Sequence, residues 1–180
     1  MVRSIAVIAW AIGLSQPSLP QSTRASYAKV VREVSEEHRI DPFTIVAIGW
    51  HESRWRSSAV SRDGEDYGIM QIRARYSSAC QKDQASEACQ ASKTRLLNPH
   101  YNIRRAASLI TKWRQTCRKI TGKPALFARW LHGYGGMGNL KKGVICGQKK
   151  SRKGKWRDLR VRRLLKRVMN YRKMLIRKQP

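Results

Sequence analysis

A nearly apolar helix with a single carboxylate near its end constrains this chain more than any other feature of its sequence. The helix is expected to begin at Asp41-Pro42, because Asp is a favoured N-cap and Pro loses no hydrogen bond at the first helical position. It runs to about Trp55 and contains Glu52. The residues expected to share the face of Glu52 are Ile45, Ile48 and Gly49. The spacing predicts a core helix that presents one acid.

Glu52 is placed to stay protonated near neutral pH. Partial burial disfavours the charged form of a carboxyl group and raises its pKa, and the negative end of the helix dipole acts in the same direction. A neutral carboxylic acid is the form that protonates a leaving oxygen. The alternative interpretation is a surface glutamate at a frayed helix end.

Further helices are expected in four other stretches, from their apolar spacing or their starting residues. They are residues 26–38, with Ser26 as the predicted N-cap, one helix from Asn98-Pro99, one from Pro124, and a long amphipathic helix after Lys155. These patterns predict a mainly helical fold.

One short region interrupts the helical pattern. Residues 56–72 are rich in turn-forming side chains, and Asp63-Gly64 is a strong hairpin signal, so a small irregular β-hairpin region is predicted. The polar stretch 77–95 is expected to be a stapled loop or a short helix, and residues 133–138, with four glycines, are expected to form a loop.

The first 25 residues have the features of a secretory signal. Arg3 supplies the positive end, residues 5–14 are apolar, and Thr23-Arg24-Ala25 forms a cleavage site. Ten apolar residues are too few to cross a bilayer core of about 30 Å as a helix, so no transmembrane anchor is expected. The prediction is a periplasmic or secreted protein. The alternative is a buried N-terminal helix.

Four cysteines suit an exported protein, and they allow three pairings. Pairing neighbours closes the shortest loops and is favoured here: Cys80 with Cys89, and Cys117 with Cys146. A zinc site that includes His100 is the competing interpretation, but no cysteine pair has the ligand spacing that zinc sites favour. No metal or cofactor is expected.

The charge balance is strongly basic. The chain has 38 Lys and Arg against 11 Asp and Glu, a net charge of +27. Residues 148–180 hold 15 of these cations and one acid, Asp158. Such a charge indicates acidic partners and says little about fold. The predicted organisation is a signal at 1–25, a catalytic domain at 26–147 and a basic segment at 148–180.

The basic segment has three interpretations. It is a terminal helix with a solvated basic face, or it attracts anionic envelope polymers in a salt-dependent way, or it binds nucleic acid. No nucleic-acid motif supports the third.

A series of short motifs follows Glu52 in order. Glu52-Ser53 precedes Ala59 and Ser61, then Gly68-Ile69-Met70-Gln71-Ile72, then Asn98-Pro99-x-x-Asn102-Ile103-x-x-Ala106-Ala107. Across about residues 27–137 this series resembles the soluble lytic transglycosylase family of the lysozyme-like superfamily. The resemblance implies a lysozyme-like α+β fold, a helical lobe with a small β-hairpin region, and Glu52 as the catalytic acid and base. It implies supporting roles, in contact with the glutamate or the sugar, for Ser53, Ser61, Met70 and Gln71.

The residues before Gly68 are similar to a variant shared by secretion-system transglycosylases and animal-type lysozymes. In that variant an Asp stands two residues before the Gly, and here that residue is Asp66. The resemblance makes Asp66 the candidate second carboxylate, as in the lysozyme pair that exemplifies this arrangement. The alternative is an Asp66 that caps a turn.

The family also has an aromatic-Asn-x-Gly motif, from which this chain departs. The nearest matches are at Trp130 and Tyr134, and neither is followed by the Asn. By resemblance, one of these aromatic side chains stacks on a sugar. The alternative for Trp130 is core packing.

The resemblance implies a monomeric enzyme that cleaves the β-1,4 bond between N-acetylmuramic acid and N-acetylglucosamine in peptidoglycan and forms a 1,6-anhydromuramic product. The first alternative is a hydrolytic lysozyme that uses Glu52 and Asp66. The second, of another class, is an inactive basic envelope-binding protein on a lysozyme-like scaffold.

Overall fold

The protein is described from a computed structural model. The described residues are 3–121, 127–134, 144–151, 156–158 and 163–180. The chain divides into two compact units, the first comprising Met1–Ala107 with Tyr171–Pro180 and the second comprising Ser108–Asn170. Each unit is described separately below.

Three helices begin the first unit: α1 (Ile5–Ser15), α2 (Gln21–His38) and α3 (Pro42–Ser53). The predicted start of α3 is confirmed, since the Asp41 carboxylate accepts a hydrogen bond from the Phe43 backbone N–H. The predicted N-cap of α2 is wrong. Pro20 occupies the cap position, and Ser26 lies inside the helix, where its hydroxyl is 2.9 Å from His100 Nε2. Pro20 favours an earlier start because its ring presets the backbone and it lacks an N–H.

Helix α1 is part of the apolar core of the first unit, and Ile8, Ala11 and Ile12 are fully buried. The Arg3 guanidinium lies 3.9 Å from the centroid of the Phe43 ring. This packing corresponds to the alternative in which the N-terminus is a buried helix. Removal of residues 1–25 as a signal stays a prediction.

The non-helical region of the first unit is a two-stranded antiparallel hairpin. Strand β1 (Asp66–Tyr67) pairs with β2 (Ile72–Arg73), in the register Asp66 with Arg73 and Tyr67 with Ile72. The tight turn is residues 68–71, whereas Asp63-Gly64 lies in the loop that precedes β1. The Asp-Gly signal therefore marked a real turn, but a different one from the turn that closes the hairpin.

A 3-10 helix (Ala74–Tyr76) follows, and then come α4 (Ser78–Lys82) and α5 (Glu87–Leu97), which the Cys80–Cys89 disulfide joins. Helix α6 (Pro99–Thr121) begins where the sequence predicted and continues into the second unit.

The second unit contains the end of α6, helix α7 (Phe127–Tyr134) and three short antiparallel strands: β3 (Val144–Ile145), β4 (Gln148–Lys150) and β5 (Trp156–Asp158). The second predicted disulfide, Cys117–Cys146, is confirmed. The start expected at Pro124 lies outside the described residues.

The expectation of a loop from residue 133 is wrong at its first two positions, which are the last residues of α7. A Cβ atom on Gly133 would lie 2.4 Å from the Trp113 ring, so this glycine permits close packing of α7 against α6. The other residues of that glycine-rich segment lie outside the described part.

Helix α8 (Arg163–Lys178) confirms the predicted amphipathic tail helix. Leu165, Val168 and Leu175 are buried on its apolar side. In the first unit, Tyr171 stacks on Trp50 with ring centroids 4.0 Å apart, and Arg172 Nε donates to Asp41 at 2.8 Å. Across the described residues, no helix is both long and apolar enough to form a membrane span.

The side chain of Asn102, fully buried on α6, holds the hairpin turn in place. Its Oδ1 accepts from the Met70 N–H at 2.7 Å, and its Nδ2 donates to the carbonyls of Tyr67 and Leu96 at 2.9 and 2.8 Å. Gly68 is directly against this amide, with a φ of +75°. A Cβ on Gly68 would lie 2.4 Å from the Leu96 carbonyl oxygen, so only glycine fits.

We predict that Gly68→Ala lowers the free energy of unfolding by about 3 kcal/mol or more, because it adds a backbone clash to an unfavourable φ. Gly64→Ala is the matched control, since Gly64 also has a positive φ but no atom within 4 Å of the added Cβ. Gly64→Ala is expected to lower the free energy of unfolding by only about 1 kcal/mol. Urea unfolding of both variants measures the difference, and equal losses would contradict the packing argument.

Candidate active site

Glu52 lies in the last turn of α3, and the backbone after it is tightly fixed. Arg54 and Trp55 both have positive φ, and the Trp55 N–H donates to the Gly49 carbonyl at 3.3 Å. The Trp55 side chain is fully buried, and its ring lies only 3.0 Å from where a Cβ on Gly49 would stand. Gly49 therefore makes room for the indole, and the indole anchors the end of the helix that carries Glu52.

Burial and the negative charge of Asp66 together raise the pKa of Glu52 to about 7 from an ordinary value of 4.5. Burial is the larger cause. The sequence argument named burial and the helix dipole; the structure adds the charge of Asp66. A carboxyl with this pKa is available both as an acid and as a base near neutral pH.

Asp66 makes a bidentate ion pair with Arg73 across the hairpin. Arg73 Nε lies 2.9 Å from Asp66 Oδ1, and Arg73 Nη2 lies 2.9 Å from Asp66 Oδ2. The same Nη2 is 3.3 Å from Asp63 Oδ2. The hydrogen bond to Asp66 raises the pKa of Arg73 above its usual range. Both carboxylate oxygens of Asp66 are thus engaged by one guanidinium, the strongest geometry for such a pair.

Ser61 organises the loop before β1. Its hydroxyl accepts from the backbone N–H groups of Glu65 and Asp66 at 3.2 and 2.9 Å, and it donates to the Asp63 carboxylate. The bond from Ser61 lowers the pKa of Asp63. Ser61 therefore positions Asp66 through the backbone. Direct contact between Ser61 and a sugar stays a prediction.

The other predicted supporting residues hold the hairpin turn, and Ser53 connects it to α3. The buried Ser53 hydroxyl donates to the Ile69 carbonyl at 2.8 Å, and Met70 is fully buried. Gln71, with a φ of 46°, donates through Nε2 to the carbonyls of Gly68 and Ala59 at 2.9 and 3.2 Å. These bonds give the three residues a structural role. Their roles toward substrate stay predictions.

Trp130 and Tyr134 lie on α7, in the second unit. Trp130 is buried, which agrees with core packing, and Tyr134, the last residue of the helix, is half-buried. Sugar stacking by either residue stays a prediction.

The structure brings the carboxyl groups of Glu52 and Asp66 close enough to interact electrostatically. In the described part of the chain, no group of three or more His, Cys, Asp or Glu side chains is arranged to hold a metal ion. The two carboxyl groups differ, since the pKa of Glu52 is raised and Asp66 is paired with Arg73, and a carboxyl group of raised pKa suits acid–base chemistry.

The family model described as the transglycosylase SLT domain matches residues 29–134, more than half of the chain. The chain belongs to this family. The match contains Glu52, the hairpin and α7, and it indicates an enzyme of the lysozyme-like transglycosylase class that cleaves peptidoglycan. Searches of curated proteins and of solved structures found no match. Kinship with the secretion-system variant stays a prediction.

Sequence reasoning missed the role of Arg73 in this SLT-type site. The signal was present, because an acid at the start of one strand and a base at the end of the next pair directly once the turn is residues 68–71. Placing the turn at Asp63-Gly64 concealed that register. The hydrogen bonds by which Asn102 holds the hairpin turn were also not predicted, although Asn102 belongs to one of the motifs described above.

We predict that burial of Glu52 makes the enzyme less stable as pH rises. Below the unfolded pKa of 4.5 the group is neutral in both states; between 4.5 and about 7 only the unfolded chain ionises, so stability is lost until the pH passes the folded pKa. The stability of Glu52→Gln relative to the wild type should therefore increase by roughly 3 kcal/mol between pH 4 and 8. Urea unfolding across this range measures it.

The control for this prediction is Glu87→Gln, which removes an exposed carboxylate from α5. A difference between wild type and Glu52→Gln that does not change with pH would show that Glu52 has an ordinary pKa.

Proposed function

We propose that this chain is a lytic transglycosylase that cleaves the β-1,4 bond between N-acetylmuramic acid and N-acetylglucosamine and leaves a 1,6-anhydromuramic end. The observation that supports it is the contrast between the two carboxyl groups. Glu52 is half-buried with a pKa raised to about 7, while both oxygens of Asp66 are bound by Arg73. One carboxyl group is equipped for proton transfer, and the other is occupied.

The reaction needs a single acid–base group. Glu52 first gives its proton to the glycosidic oxygen as the bond to the muramic C1 breaks, and the substrate's own N-acetyl group stabilises the positive charge at that carbon. The Glu52 carboxylate then takes the proton of the muramic 6-hydroxyl, whose oxygen bonds to C1 and closes the anhydro ring. The proton returns to Glu52, so the enzyme ends as it began.

Hydrolysis is the second candidate reaction. The observation that bears on it is the ion pair between Asp66 and Arg73. In that reaction Asp66 attacks the sugar or activates water. Either step needs a carboxylate oxygen that Arg73 now binds at 2.9 Å. Freeing one carboxylate oxygen from this bidentate ion pair costs free energy before the reaction can begin. The geometry therefore favours the transglycosylase reaction.

The proposal includes an exported, periplasmic or secreted, monomeric enzyme of the secretion-system type. Its substrate is the glycan strand, with Trp130 or Tyr134 stacking on a sugar. The basic side of α8 supplies attraction to anionic envelope polymers, since its side chains include Lys166, Arg167 and Lys173, which are exposed. Nucleic acid is not proposed as a partner.

We predict that Glu52→Gln lowers the rate of peptidoglycan cleavage by at least about 10²-fold, because the amide cannot transfer a proton. Mass spectrometry of wild-type digests should show anhydromuramic ends. Reducing ends alone would overturn the transglycosylase proposal in favour of hydrolysis. Lysis undiminished in Glu52→Gln would instead support the inactive-scaffold alternative, a basic envelope-binding protein.

We also predict that Asp66→Asn keeps catalytic activity but moves its pH dependence. A general acid must be protonated, so kcat/KM should fall as pH rises through about 7. Asp66→Asn removes the charge that helps to raise the pKa of Glu52, so this fall should begin at lower pH. Asp63→Asn is the control, because Asp63 also contacts Arg73 but does not act on Glu52. An Asp66→Asn variant as inactive as Glu52→Gln would indicate hydrolysis.

A further inference from the structure

Arg73 is the centre of a small charged network in the hairpin of the first unit. Its guanidinium binds both oxygens of Asp66 at 2.9 Å, and its Nη2 lies 3.3 Å from Asp63 Oδ2. Ser61 connects the two acids, because its hydroxyl donates to the Asp63 carboxylate and accepts from the Asp66 backbone N–H. A cross-strand acid and a loop acid therefore fix the position of the guanidinium.

Asp66 has two of the properties that a second catalytic carboxylate needs. Its side chain is 23% exposed, so water has access to it. Its negative charge acts on Glu52, so the two carboxyl groups lie close together. What Asp66 lacks is an oxygen outside the ion pair with Arg73. A carboxylate that accepts a proton becomes neutral, and it would lose the attraction of the guanidinium in the same step. The ion pair therefore opposes the use of Asp66 as a base.

The proposed reaction has a branch point at which such a base would matter. Once Glu52 has protonated the glycosidic oxygen and the bond has broken, the muramic C1 carries positive charge. On one path the 6-hydroxyl oxygen bonds to C1 and its proton goes to the Glu52 carboxylate. On the other path a water oxygen bonds to C1, and its proton passes to a second carboxylate and then through solvent to Glu52. The first path leaves an anhydro end and the second leaves a reducing end.

We propose that Arg73 determines which path is taken, by holding Asp66 in an ion pair so that Asp66 does not activate water. Arg73 is a positioning residue, because it acts on the reaction through Asp66. With Arg73 in place the 6-hydroxyl is the acceptor, and without it Asp66 is free to take a proton from water. The chain thus contains the second carboxylate of a hydrolase in an inactive form. This inference rests on the proposed function, since it takes the anhydro-forming reaction as the normal one.

The experiment is mass spectrometry of peptidoglycan digested by the full chain, with the ratio of new reducing muramic ends to anhydro ends as the readout. Arg73→Gln should raise this ratio by at least about tenfold, because a positioned base accelerates proton transfer by roughly 10²–10⁴-fold. The double variant Arg73→Gln with Asp66→Asn should return the ratio to that of the wild type. The ratio is independent of how much of the enzyme is folded, so partial unfolding alone would not change it.

Arg73→Lys separates the effect of charge from that of geometry. Lysine keeps the positive charge, but its single ammonium group cannot bind both oxygens through two parallel N–H bonds. The product ratio of this variant should lie between those of the wild type and Arg73→Gln. If Arg73→Gln cleaves no peptidoglycan, Arg73→Lys provides the test, and a wild-type ratio there would overturn the inference.

Arg75→Gln is the matched control. It removes the same charge two residues further along the chain, where the side chain is exposed on the 3-10 helix. This variant should keep the product ratio of the wild type. A rise equal to that of Arg73→Gln would indicate a general effect of charge and would contradict a specific role of Arg73.

Two further outcomes would overturn the role of Arg73. One is an unchanged product ratio in an active Arg73→Gln variant. The other is a raised ratio that the added Asp66→Asn does not reverse, since water would then react without the help of Asp66. Failure of the proposed function looks different, because the wild type itself would then produce reducing ends alone.

Discussion

The carboxamide of Asn102 is the interaction on which the site depends most. It makes hydrogen bonds to three backbone groups. Those of Tyr67 and Met70 lie on the two sides of Gly68 in the hairpin, and that of Leu96 lies at the end of α5. A buried backbone group without a hydrogen bond destabilises the fold. This one side chain therefore fixes the position of the turn relative to α6. Ser53 fixes the same turn against α3 through Ile69. The hydrogen bonds of Asn102 and Ser53 together set the spacing between Glu52 on the helix and Asp66 on the hairpin.

The electrostatics of the site follow from that spacing. Glu52 is paired with no cation among its described contacts, and its burial favours the neutral form. Asp66 has Arg73 on both oxygens, and its negative charge still acts on the pKa of Glu52. The two carboxyl groups therefore differ because of their surroundings: Glu52 lies half-buried at a helix end, and Asp66 lies on a strand opposite Arg73.

The sequence predicted the parts of the fold that local rules control. Asp41-Pro42 and Asn98-Pro99 predicted helix starts correctly, the apolar stripe of α8 predicted its packing, and the shortest loops predicted both disulfides. It failed where a non-local contact decides. A glycine is needed at position 133 of α7 because the Trp113 ring packs against it, and the pairing of Asp66 with Arg73 depends on which of two turns closes the hairpin. The contact with Trp113 has no local signature, and the Asp66–Arg73 pair follows from the sequence only once the turn is placed at residues 68–71.

The return of α8 to the first unit has a consequence for biosynthesis. Tyr171 stacks on Trp50 and hydrogen-bonds Ser15 at 2.8 Å, and Arg172 binds Asp41 and Thr44, so the last turns of the chain complete the packing around its first three helices. These contacts join residues more than a hundred positions apart, and they form only after the chain has been synthesised as far as Arg172. Until then, the helix that carries Glu52 lacks part of its support. The helix that carries Glu52 is therefore expected to reach its final packing only after Tyr171 and Arg172 have left the ribosome.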